Sequence, residues 1–63
     1  MSYEDLISDA AYSLFNAWEC ESAGDTGTSE RKSANAKADK AAKESGRPFR
    51  DVWRDVYEMA VRL

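Results

Sequence analysis

Apolar positions recur along this chain in three blocks, each with helical rather than alternating spacing. In the first block Tyr3, Leu6, Ile7, Ala10, Ala11, Leu14, Ala17 and Trp18 share one arc at 100° per residue, with Phe15 at its edge. The opposite arc holds Asp5, Ser8, Asp9, Tyr12, Asn16 and Glu19. Ser2 can cap free N–H groups at the start, and Glu4 and Asp5 suit the positive end of a helix dipole. The pattern predicts a first helix over residues 2–22.

Gly24, Asp25, Thr26, Gly27 and Thr28 read as a flexible turn, with Gly24 closing the first helix and Thr28 or Ser29 capping the next. The middle block, from Ser29 to Ser45, is built of Ala, Lys and Glu, which carry high intrinsic helix propensity. Ala34, Ala38, Ala41, Ala42 and Ser45 line one face, and lysines occupy the rest. Gly46 can end this helix in the left-handed conformation, and Pro48 suits the first position of the following one. The last block sets Phe49, Val52, Trp53, Val56, Tyr57, Met59, Ala60 and Leu63 on one wide arc and Arg50, Asp51, Arg54, Asp55, Glu58 and Arg62 on the other. Helices are therefore expected at about 2–22, 28–45 and 48–62.

The fold class that follows is all-α: a single domain over 1–63, arranged as a small three-helix bundle with antiparallel or angled helices. Ten of the apolar residues are alanines, so the bulky core formers are few. The expectation is that the first and last helices make an aromatic core and the Ala/Lys helix closes it. The apolar arc of the last helix, widened by Trp53, Tyr57 and Val61, exceeds what one neighbouring helix covers. A chain of 63 residues is marginal alone and gains from a partner or a second copy.

Charge adds a polarity that the net value of −3 conceals. Residues 1–30 carry seven acids and no Lys or Arg, whereas residues 31–63 carry all nine bases against five acids. One reading is that acidic and basic helices neutralise each other across their rims; the other is that one pole steers a charged partner. Cys20 is the only cysteine and there is no histidine, so no internal disulfide and no thiolate–imidazole zinc site is expected. No signal-peptide pattern and no apolar run of about 20 residues is present, which makes a cytoplasmic location the default and membrane insertion unexpected.

Catalysis finds little support. The commonest general base is absent, and Cys20 lies between Glu19 and Glu21, a setting that blunts a nucleophilic thiolate. The glycine-containing loop lacks the P-loop lysine pattern. The expectation is a non-enzyme with no catalytic residues, no cofactor and no metal.

Two surfaces carry the candidate function. Asp5, Asp9, Tyr12, Asn16 and Glu19 form one continuous stripe on the first helix; a tyrosine among carboxylates on a solvent face suits docking on a basic partner, against the plainer reading of an ordinary solvated face. Around the second turn, Ala42, Gly46 and Val52 stand at spacings that resemble a helix-turn-helix: a small residue four before a turn glycine and an apolar residue six after it. That resemblance implies a recognition helix with Arg47, Arg50 and Arg54 near its start, meeting phosphates or base edges. The chain departs from the pattern at Arg47 and Asp55, where apolar residues are expected, and the plainer reading is a helix–Gly–Pro–helix corner. Gly46-Arg47-Pro48 is also similar to the core tripeptide of minor-groove AT-hooks, but no basic residue precedes it.

The favoured function is a protein-binding module: a small regulator, adaptor or inhibitor acting on a larger protein. In size and style the chain is similar to phage-encoded modulators of host machinery, an analogy with no motif behind it. The runner-up is a dimeric helix-turn-helix protein binding DNA through the basic C-terminal half. The third is a homo-oligomeric structural subunit, with the acidic first helix of one copy meeting the basic half of the next.

Overall fold

The computed structural model describes residues 2–24 and 26–63. Asp25, within the expected first turn, lies outside the described residues. The described chain is all-α, with α1 at Tyr3–Ser22, α2 at Thr28–Ser45 and α3 at Phe49–Ala60.

The helix ends follow from local chemistry. Ser2 Oγ accepts the Asp5 N–H at 3.2 Å, as expected for the N-cap of α1. At α2 the expected Thr28 or Ser29 cap does not form. Gly27, at φ +66°, is the N-cap residue, and Thr26 Oγ1 accepts the Thr28 N–H at 3.5 Å from outside the helix. A Cβ on Gly27 would lie 2.8 Å from the Ala17 carbonyl oxygen, so the chain passes α1 at a distance only glycine permits. α2 ends at Gly46, φ +72°, whose N–H reaches the Ala42 carbonyl at 2.9 Å. Pro48 stands just before α3 rather than inside it, with extended ψ, and its carbonyl accepts from Asp51 and Val52.

α1 and α2 run antiparallel. Asp9 pairs with Lys37, Ser13 with Ser33, and Glu21 with Arg31, so partners fall along α2 as they rise along α1. α3 crosses α1. Tyr3 and Trp18, about 22 Å apart along α1 at helical rise, reach Asp55 and Tyr57, only two residues apart on α3. Glu4 from the start of α1 and Arg62 from beyond the end of α3 line the same groove.

The core corrects the expectation of an aromatic centre. Its largest fully buried side chains are Leu14, Val52 and Val56, and around them lie Leu6, Ile7 and eight alanines. Tyr3, Trp18, Trp53 and Met59 pack at its margin, and Phe49 and Tyr57 are exposed. The widest helix–helix interface is α1 with α2, and the alanines Ala10, Ala11 and Ala17 of α1 and Ala34, Ala38 and Ala41 of α2 are all fully buried in the core. Side chains this small let two backbones approach closely, which leaves no room for rings between them. The aromatics are displaced to the groove where α3 meets α1, and that geometry fixes which surfaces remain free.

Candidate functional site

The outer face of α1 is open to solvent. Asp5, Asp9, Tyr12, Asn16 and Glu19 are all exposed on it, and Tyr12 keeps 55% of its surface in solvent. The chain itself engages one of the five. Asp9 Oδ1 takes a 3.3 Å hydrogen bond from Lys37 Nζ, which also donates to Ser13 Oγ at 2.8 Å. The side chains of Asp5, Tyr12, Asn16 and Glu19 make no hydrogen bond, ion pair or ring contact among the described residues. The stripe expected from the spacing is thus a single surface, with Asp9 held at its α2 edge.

The two charge poles do meet across helix rims. Lys37–Asp9 and Arg31–Glu21 join α2 to α1, and within the basic half Arg47 lies 3.8 Å from Asp55. These pairs are solvent-exposed in large part, so each is worth only about 0–1 kcal/mol. They consume the inner charges of the chain and leave the outer ones.

The three arginines near the second turn part company. The Arg47 guanidinium sits 4.0 Å over the Tyr3 ring, and Tyr3 Oη donates to Asp55 Oδ2 at 2.6 Å. Arg47 is therefore held in a knot that fastens the start of α1 to the α2–α3 corner, with about half of its side chain still in solvent. Burial, and then the hydrogen bond to Asp55, push the Tyr3 phenol above its ordinary value, with Arg47 opposing. Local periodicity gives no sign of this knot, because its partners lie 52 residues apart. The one hint in the sequence is Asp55 itself, a carboxylate where the helix-turn-helix pattern expects an apolar residue. Arg50 and Arg54 are exposed and form no ion pair among the described residues. They flank a row of rings on α3. Phe49 and Trp53 stack with centroids 6.0 Å apart, and Tyr57 meets Trp18 edge-on at 5.6 Å.

The corner between α2 and α3 has Gly46 left-handed, and Ala42 and Val52 buried. The groove lined by Tyr3, Glu4, Ile7, Asp55, Glu58, Met59 and Arg62 has a volume of about 200 Å³, below the ~300–1,000 Å³ usual for small-molecule sites. Among the described residues no three Cys, Asp or Glu side chains converge to hold a metal ion, and no helix is long and apolar enough to cross a membrane. No protein-family model, curated protein or solved structure matches this chain.

Proposed function

We propose that this chain is a non-enzymatic protein-binding module, a small regulator, adaptor or inhibitor that docks on a larger protein through the outer face of α1. The observation that carries this reading is Tyr12: more than half exposed, and centred among Asp5, Asn16 and Glu19, whose side chains have no partner among the described residues. A tyrosine offers large contact area at low entropy cost and recurs among the residues that dominate interface energy. Unpaired carboxylates around it steer encounter with a basic groove and fix orientation. A cytoplasmic setting belongs to the same reading, since the single unpaired cysteine suits a reducing compartment.

The test is affinity capture from lysate with the tagged chain, with and without nuclease, beside a Tyr12→Ala variant and an Asp5→Lys/Glu19→Lys variant. The proposal expects one protein to co-purify stoichiometrically after nuclease treatment and to be lost with both variants. Capture that is abolished by nuclease, or indifferent to both variants, would overturn it.

A second reading has a specific observation in its favour: the left-handed Gly46 between buried Ala42 and buried Val52 suits a helix-turn-helix, with Arg50 and Arg54 free to meet phosphate. Against it, Arg47 is engaged by Tyr3 and Asp55 and the chain is acidic overall. Binding to DNA would weaken with salt at a log–log slope near −0.9 per phosphate neutralised, and Arg50→Ala/Arg54→Ala would abolish it.

A further inference from the structure

We draw no further inference here: the strongest candidate, the aromatic row Phe49, Trp53 and Tyr57 on the outer side of α3, is an unpartnered apolar face bordered by exposed charges of both signs, Arg50, Arg54 and Arg62 beside Glu58, and nothing in the structure shows what covers it.

Discussion

Replacing Gly27 with alanine tests the close approach on which the α1–α2 pairing depends. Two penalties act together. Gly27 sits at φ +66°, where an L side chain costs roughly 1–2 kcal/mol. The added Cβ would also stand 2.8 Å from the Ala17 carbonyl oxygen, a backbone atom of a packed helix that cannot swing aside. Relieving that contact means prising the loop from α1, and forced overpacking costs about 1–3 kcal/mol. The sum is roughly 2–5 kcal/mol, against a whole-chain stability of roughly 3–9 kcal/mol for a domain of this length. Gly46 supplies the control inside the same molecule. Its φ of +72° is nearly the same, and nothing lies within 4 Å of a Cβ built there. Gly46→Ala should therefore cost only the backbone term, about 1–2 kcal/mol. Urea unfolding followed by far-ultraviolet circular dichroism gives both values. In thermal melts each kcal/mol should lower the Tm by about 4–8 °C. Equal losses for the two variants, or a smaller loss at Gly27, would refute the claim that the loop rests against the Ala17 backbone.

Ala38→Leu inserts a bulky group into the fully buried α1–α2 interface and should cost about 1–3 kcal/mol, whereas the same change at exposed Ala36 should stay within about 0.5 kcal/mol; chemical denaturation of the pair separates the two. The raised Tyr3 phenol makes stability pH-dependent on the alkaline side. The folded chain holds that proton more tightly than the unfolded one, so the contribution is complete below the ordinary value of 10.0 and is lost as pH rises through the folded value. Melts across that window should show wild type losing more stability than Tyr3→Phe, and parallel curves would count against the knot at Asp55. Asp9→Asn removes an exposed pair with Lys37 and should cost less than about 1 kcal/mol, with the difference shrinking as salt is added to the urea titration.

Much of the architecture was legible because helical periodicity reports burial directly. The arc read for α1 contains all of its buried apolar residues, and the alanine face read for α2 contains Ala34, Ala38, Ala41 and Ala42, all buried. What the pattern could not rank was which interface dominates. Side-chain size suggested that the rings would fill the centre, yet small side chains on α1 and α2 match each other and draw the backbones together. Phe49 and Tyr57 are left outside because α3 crosses α1 instead of lying along it, and no periodicity within one helix encodes a crossing angle. The loop cap departs from expectation for a related reason: Thr28 and Ser29 are good capping residues, but the approach to Ala17 demands glycine at the cap position, and Thr26 accepts the Thr28 N–H. Of the candidate surfaces, the α1 stripe was readable as a stripe, but its pairing of Asp9 with Lys37 depends on the antiparallel register. The engagement of Arg47 depends on Tyr3, far away in sequence.

We propose that the outer face of α1 is the working surface. Amide resonance mapping of the isotopically labelled chain, titrated with the protein it captures, tests it most directly. The account predicts that the perturbed amides cluster along Asp5, Asp9, Tyr12, Asn16 and Glu19, while those of Arg50 and Arg54 keep their positions. Perturbations centred on Arg50 and Arg54, with the α1 stripe unmoved, would contradict it.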